Sequence, residues 1–302
     1  MIHTVRAGQL DIAYRDQGPR RAPVVVLLHG FPYDALACAE ASAILVQAGR
    51  RVITPYLRGF GPTRFIDRDT LRSGQQAALA FDVLALMDTL DVPQAVLAGY
   101  DWGGRAACIV AALHPSRVTG LVTGNGYNVQ NIRAATLPVD PAAEARLWYQ
   151  YYLHGARGKA GLQTHRQAFC RLLWQMWSPA WQFSDAAFAA TAPSFDNPDF
   201  VDVVVHSYRH RFGLVAGDPA LEPWEAALAL QPPIGVPSIS LDGDSDGLLA
   251  AGGSAHHAGH FTGPYGYRVL PAIGHNIPQE APSAFAQAVL DVSASGTERP
   301  RG

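Results

Sequence analysis

Gly99-Tyr100-Asp101-Trp102-Gly103-Gly104 is the stretch whose reading decides the fold. An apolar run, Ala95 to Ala98, leads into it, and a helix-like run, Arg105 to Leu113, leads out. A polar residue with a small residue two positions to either side, set where a strand turns into a helix, is a nucleophile elbow. The polar residue is Asp101 and not serine. A carboxylate in that place suits attack on a saturated carbon and not on an amide or ester carbonyl. The rest of the chain must then supply a base, a group to orient it, an oxyanion hole and a means of activating a leaving oxygen or halide.

Upstream, Gln9 to Asp16 alternates through Leu10, Ile12 and Tyr14 and predicts an edge strand. Val24 to Leu28 is apolar throughout, as a strand buried on both faces should be, and ends in the turn His29-Gly30-Phe31-Pro32. Leu36 to Ala48 predicts a helix, Arg51 to Pro55 a strand, and Leu57 to Pro62 a glycine-rich loop. Ser73 to Leu90 predicts a helix capped by Ser73, with Ala77, Leu79, Phe81, Val83, Leu84 and Met87 on its apolar face. Val118 to Val122 is the next strand. From about 130 to 230 the chain holds no convincing strand and most of its tryptophan and tyrosine, in helix-like runs at 142–153, 158–177, 185–190 and 199–212. Strand character returns at Val236 to Leu241 and Tyr265 to Leu270. Glu280 to Val292 predicts a closing helix, and the tail from Ser293 to Gly302 is expected to fray.

Strands alternating with helices predict an α/β architecture: a mostly parallel, doubly wound sheet as a core of residues 1–129 and 231–302, with residues 130–230 inserted as a helical cap. Ligands of such sheets bind at the carboxyl ends of the strands. The elbow, the His29-Gly30 turn and the loops after Leu241 and Leu270 all lie there, so they should converge on one site beneath the cap.

The 302 residues, 48% of them hydrophobic, suffice for one large core or a core with a cap. A net charge of −2 and 16% charged residues leave no basic footprint for nucleic acid. No apolar segment is long enough to span a membrane, and no signal-peptide core precedes Gly18. Cys38, Cys108 and Cys170 lie in apolar surroundings without paired spacing, which fits buried thiols and a cytoplasmic location. Oligomeric state is not legible; a homodimer is compatible with everything here.

In this topology the base follows the last strand, and His275 in Gly274-His275-Asn276 stands there among eleven histidines. His256 and His260, spaced for a metal on a helix, are surrounded by Gly252, Gly253 and Gly259 and read as a solvated loop. The acid comes from Asp242-Gly243-Asp244-Ser245-Asp246-Gly247. This string imitates the start of a calcium loop, but Gly253 stands where the closing glutamate belongs and the preceding segment is strand-like. Asp246 is placed best to turn inward, with Asp244 next; Asp242 should cap the strand end. Gly124 to Asn128 contains no Asp or Glu, which removes the other acid position of such sheets, and Val129 breaks a dinucleotide fingerprint that starts at Gly124. The oxyanion hole should be the backbone N–H groups of Phe31 and Trp102, with Phe31, Pro32 and Trp102 also lining the substrate.

Taken together, His29-Gly30-Phe31-Pro32, Gly99 to Gly104 and Gly274-His275-Asn276 resemble the α/β-hydrolase-fold epoxide hydrolases, over nearly the whole chain. The resemblance implies two cap tyrosines that hold the epoxide oxygen. Tyr149-Gln150-Tyr151-Tyr152-Leu153 is similar to the first tyrosine's context through Tyr149, although Leu153 replaces an aromatic; Tyr208-Arg209 is similar to the second. Tyr152, three residues from Tyr149 and on its helix face, is the substitute and a candidate substrate contact. The implied reaction converts a small hydrophobic epoxide and water to a vicinal diol through an ester on Asp101, with His275 and Asp246 activating water and no cofactor or metal. Haloalkane dehalogenases share Asp101-Trp102 and His275 but carry a halide-holding side chain at the position of Phe31. Fluoroacetate dehalogenases share His-Gly-Phe-Pro and match Arg105, but have arginine at the position of Trp102. A non-catalytic receptor on the same fold, or Asp101 as a mere helix cap, leaves His275 and Asp246 without a role.

Overall fold

The computed structural model describes residues 1–249 and 252–295. The strands in chain order are β1 His3–Ala7, β2 Leu10–Gln17, β3 Val24–Leu28, β4 Arg51–Pro55, β5 Arg64–Phe65, β6 Ala95–Gly99, β7 Val118–Gly124, β8 Ser238–Gly243 and β9 Tyr265–Leu270. They form one sheet in the order β1-β2-β4-β3-β6-β7-β8-β9, with β5 paired to β2. From β4 onward in that order every pairing is parallel; β1 and β2 are antiparallel additions.

Around this sheet lie α1 Ala39–Gln47, α2 Gln76–Thr89 and α3 Asp101–Leu113. Between β7 and β8 come α4 Pro141–Arg146, α5 Trp148–His154, α6 Ala156–Trp177, α7 Asp185–Thr191, α8 Phe200–His210 and α9 Glu222–Leu228. The described chain ends with α10 Ile277–Glu280 and α11 Pro282–Ser295. Helices on both faces explain why Val25 to Leu28 and Ala95 to Ala98 are buried on every side chain. Two apolar clusters result. One, around Leu28, Leu97 and Ile109, continues into the helical insertion; the other, around Leu27, Ala98 and Val289, fills the opposite face.

Several expectations need correction. The strand at Gln9 to Asp16 is not an edge, because β1 pairs outside it with Val5 opposite Ile12. Ser73 does not cap α2, which starts at Gln76. Gly74 packs against the Val203 carbonyl, so close that a Cβ would sit 2.3 Å from it, and Gln75 remains extended. Ser73 instead accepts the Gln75 N–H and gives its carbonyl to Arg58. Residues 142–153 are two helices split at Leu147, and α9 was not expected. The closing helix reaches Ser295; residues 296–302 of the expected frayed tail lie outside the described residues. Asp242 does not cap a strand end either. It is buried inside β8 and receives Ser254 N–H and the Tyr267 hydroxyl.

The insertion is tied to the sheet by polar contacts at several points. Asp34 receives the hydroxyls of Thr191 and Ser194, Trp174 donates to the Pro32 carbonyl at 2.8 Å, and Asn197 donates to the Gly61 and Thr63 carbonyls. Beneath this seam Arg58 and Asp82, both buried, form a two-bonded ion pair at 2.7 Å that ties the loop after β4 to α2. Removing one partner strands the other charge in a dry place. Asp82→Ala should therefore lower unfolding stability by about 3–5 kcal/mol, read from denaturant titration; a loss under about 1 kcal/mol would place this pair with exposed ion pairs.

Candidate active site

The elbow is a backbone problem before it is a chemical one. Asp101 has φ +49°, in the left-handed region, where a short polar residue is tolerated better than most. The turn is tight enough that Cβ atoms at Gly99 and Gly103 would come 2.5 Å from Gly103 C and 2.2 Å from Leu28 O. Both positions therefore have to be glycine. Gly30 is excluded from carrying a side chain by Asp101 itself, whose Cβ lies 2.6 Å from where one would begin. These contacts press the carboxylate against the loop after β3, and the Phe31 N–H donates to Asp101 Oδ1 at 2.7 Å. Trp102 is the second residue of α3, so its N–H is one of the helix-start donors that has no partner within the helix. The Phe31–Pro32 peptide is cis.

His29 holds that loop. Its Nε2 accepts the Leu57 N–H at 3.0 Å, so its Nδ1 carries the proton and donates to the Gly30 carbonyl. Burial pushes the ring down to about 4, against the pull of the Gly30 carbonyl and Asp101. His29 is a neutral strut.

The loops after β8 and β9 bring Asp246 and His275 to the same place. His275 Nδ1 lies 2.8 Å from Asp246 Oδ2, and His275 Nε2 lies 3.7 Å from Asp101 Oδ2. Asp246 is clamped by three further donors: Asn125 Nδ2 on Oδ2, and the Leu248 and Leu249 N–H groups on Oδ1. Asp244 points elsewhere and receives the Ala272 N–H. The histidine loop is held by Glu280, which accepts from Gly274 N–H, Asn276 N–H and the Ser178 hydroxyl; Ser178 in turn accepts the His275 N–H. Burial alone would depress the His275 imidazole, but the Asp246 and Asp101 charges outweigh it and raise it to about 10. Burial would likewise raise Asp101, yet the nearby His275 imidazolium, with Arg211 behind, holds it below the usual carboxylate range. The resting pair is imidazolium and carboxylate.

A cavity of about 250 Å³ opens onto Asp101 and His275. Tyr149 and Gln150 of α5, Leu147, Phe212 and Arg211 close it from the insertion, and Arg105, Asn125, Asn128 and Gln130 from the core side. Gln150 donates to the Tyr149 hydroxyl oxygen at 2.9 Å, which leaves that O–H free to point elsewhere. Tyr208 packs edge-on to Tyr149 at 5.2 Å, and its buried hydroxyl has no hydrogen-bond partner among the described residues. Burial raises both phenols above their ordinary range, so both are neutral donors.

Five expected substrate contacts fall outside this lining, Tyr208 among them, which packs behind Tyr149. Phe31 and Trp102 are fully buried, stacked at 5.7 Å, and offer the site only their backbone. Pro32 turns its carbonyl to Trp174. Tyr152 stacks on Phe169 with its hydroxyl against Gly161, because the face it shares with Tyr149 is crossed by α6. Nor is the lining simply hydrophobic. Trp174 and Trp181 pack on one another and on Phe183, while two arginines, two asparagines and two glutamines face the cavity. Asn125, Gln150, Ser178, Glu280 and Arg211 were not singled out from sequence. For Asn125 the acid-free loop Gly124 to Asn128 was the available signal: an amide there bonds the acid that comes from the neighbouring loop.

Known proteins agree with this architecture. A profile described as alpha/beta hydrolase fold matches residues 23–282. A crystal structure from Klebsiella pneumoniae, provisionally described as an epoxide hydrolase, is 47% identical, with 97% of each chain covered and a TM-score of 0.96. Epoxide hydrolase B of Mycobacterium tuberculosis is 31% identical over 153 residues, 46% of this chain and 42% of the relative. A haloalkane dehalogenase of Psychrobacter cryohalolentis is 32% identical over 126 residues, 41% of each. The matched stretch thus spans less than half the length of these two relatives. On the profile match and the full-length likeness, the chain belongs to the alpha/beta hydrolase fold family.

Proposed function

We propose that this protein is an epoxide hydrolase that works through an ester on Asp101, with residues 130–230 as a cap over a core of 1–129 and 231–302. One observation carries the reading. A carboxylate held in the elbow, a base 3.7 Å away and a neutral cap phenol meet in one cavity. Asp101 Oδ1 already receives the Phe31 N–H, so Oδ2 is the attacking oxygen. It forms a bond to an epoxide carbon as the carbon–oxygen bond of the ring breaks. The ring oxygen takes a proton from Tyr149, with Tyr208 as the second donor.

Esterification removes the charge of Asp101. The His275 imidazolium then loses one of the two carboxylates that hold its proton, and releases it more readily; that proton is available to restore the phenol. Neutral His275, kept in place by Asp246, next takes a proton from water, and the hydroxide adds to Cγ of Asp101. The new oxyanion stays on Oδ1, where Phe31 and Trp102 N–H groups can hold it. Collapse breaks the Cγ–Oδ2 ester bond; the departing alkoxide takes the proton of the new carboxyl hydroxyl, which gives the second diol hydroxyl, returns Asp101 to its ionised form and leaves His275 protonated as at rest. The dehalogenases use the same ester step, but a leaving halide needs no proton, whereas the ring oxygen of an epoxide does, and neutral Tyr149 can give one.

Two outcomes check this scheme. Asp101→Asn should abolish diol formation, whereas His275→Gln should accumulate an intact-protein mass increase equal to one epoxide; turnover in the first or no adduct in the second contradicts it. The second outcome concerns pH. His275 is raised from 6.5 to about 10 on folding, so its pairing stabilises the fold fully below about 6.5 and is lost as pH rises through about 10. Imidazole NMR should show a protonated His275 in the resting enzyme at pH 8, and Asp246→Asn should shift its titration downward. A neutral ring at pH 7 would remove the charge switch.

A further inference from the structure

α3 delivers Asp101 to the cavity, α8 places Tyr208 behind Tyr149, and each helix has an arginine about one turn farther on. Arg105 follows Asp101 by four residues on α3; Arg211 follows Tyr208 by three at the end of α8. Both line the cavity that contains Asp101 and His275. Neither guanidinium is satisfied. Among the described residues, Arg105 Nε and Arg211 Nη2 are buried without a hydrogen-bond partner, and Arg105 Nη1 reaches only the Gln76 and Gln130 side-chain oxygens, at 3.4 Å each. Neither arginine forms an ion pair among the described residues, although Asp101 is within electrostatic reach of both. Arg211 lies over the Tyr208 ring at 4.9 Å and the Trp102 ring at 5.7 Å, which fixes its plane.

Two like charges facing one cavity repel, and among the described residues no carboxylate pairs directly with either. Burial, and then the Arg211 charge, push Arg105 down to about 9, which still leaves it cationic at neutral pH. Glu225 acts on Arg105 from α9, but its oxygens are taken by Gln75, Gln76 and the Ala77 N–H. Asp101 is already engaged by Phe31 and His275. Asp101, Asp246, Glu225 and Glu280 supply enough charge around His275 and the two arginines, but none of these carboxylates pairs with either guanidinium, so what is left over is donors. An unpaired buried guanidinium is costly, and a planar carboxylate is the partner its forked donors fit best.

We propose that Arg105 and Arg211 form an anion subsite beside Asp101, so that the epoxide taken by this site carries a carboxylate. The substrate class rests on the hydrolase reading above; the subsite does not. The carboxylate would lie between the two guanidiniums, with the epoxide carbon toward Asp101 Oδ2 and the ring oxygen toward Tyr149. The extra negative charge near the nucleophile is offset by the pair of arginines.

The test compares glycidate with its neutral isostere glycidamide, and adds binding of the unreactive carboxylate butyrate by calorimetry to Asp101→Asn. Glycidate should have a kcat/KM about 10–100-fold higher, the range expected for charge-assisted hydrogen bonds. Arg105→Gln and Arg211→Gln should each collapse that ratio, mainly through KM, and weaken butyrate by a similar factor when combined with Asp101→Asn. Equal or better turnover of glycidamide by the unaltered enzyme, with no butyrate binding, overturns the subsite and leaves the hydrolase reading standing. Butyrate binding that depends on both arginines, with neither epoxide opened, supports the subsite and overturns the hydrolase reading alone. Halide release from 2-chlorobutyrate in that second case would assign the same anion subsite to dehalogenation.

Discussion

Everything at this site depends on how closely two backbone turns approach. The loop after β3 and the elbow after β6 meet at Gly30 and Asp101, with no room for a side chain at Gly30. Neighbouring parallel strands in register, Leu28 opposite Gly99, set that approach. The left-handed backbone at Asp101 then directs its carboxylate out of the sheet and onto the Phe31 N–H. Strain of this kind persists only where the surroundings over-determine it. Here they do so through two glycines, a buried neutral histidine and the first turn of α3.

The second constraint is charge. His275 is buried between two carboxylates and stays protonated because of them. Asp246 accepts from Asn125, Leu248 and Leu249 and faces His275, so its position is fixed. Asp101 is the member whose charge can vanish, by forming an ester. A single covalent event at the nucleophile thereby alters the basicity of the histidine that must act next. The cavity's arginines belong to the same balance, since Arg211 helps hold Asp101 low and both guanidiniums face the substrate's place.

The sheet order, the elbow and the convergence of Asp101, Asp246 and His275 were legible because each rests on a local rule: buried strands run apolar, glycines mark close approach, and acid and base follow particular strands. Tyr149 was separable from Tyr152 only as a resemblance, since both lie on one helical face. The packing of α6 decides between them, and α6 is remote in sequence. Arg211 illustrates the limit more sharply. In sequence it is one basic residue after a helix that also carries Arg209, and nothing local says which of the two turns inward. The expected start of α2 at Ser73 failed for a similar reason, because the contact of Gly74 with α8 overrides a good capping residue. Edge position in the sheet was misread because β1 is short and half polar.

The account's central claim is that the first oxygen delivered to substrate comes from Asp101 and not from water. A single turnover with enzyme in excess, in ¹⁸O-labelled water, tests it directly by mass spectrometry of both diol and protein. The predicted result is an unlabelled diol, with ¹⁸O appearing in the peptide that contains Asp101. A labelled diol in the first turnover, with no label in that peptide, would mean that water attacks the substrate directly, and the ester mechanism would be wrong.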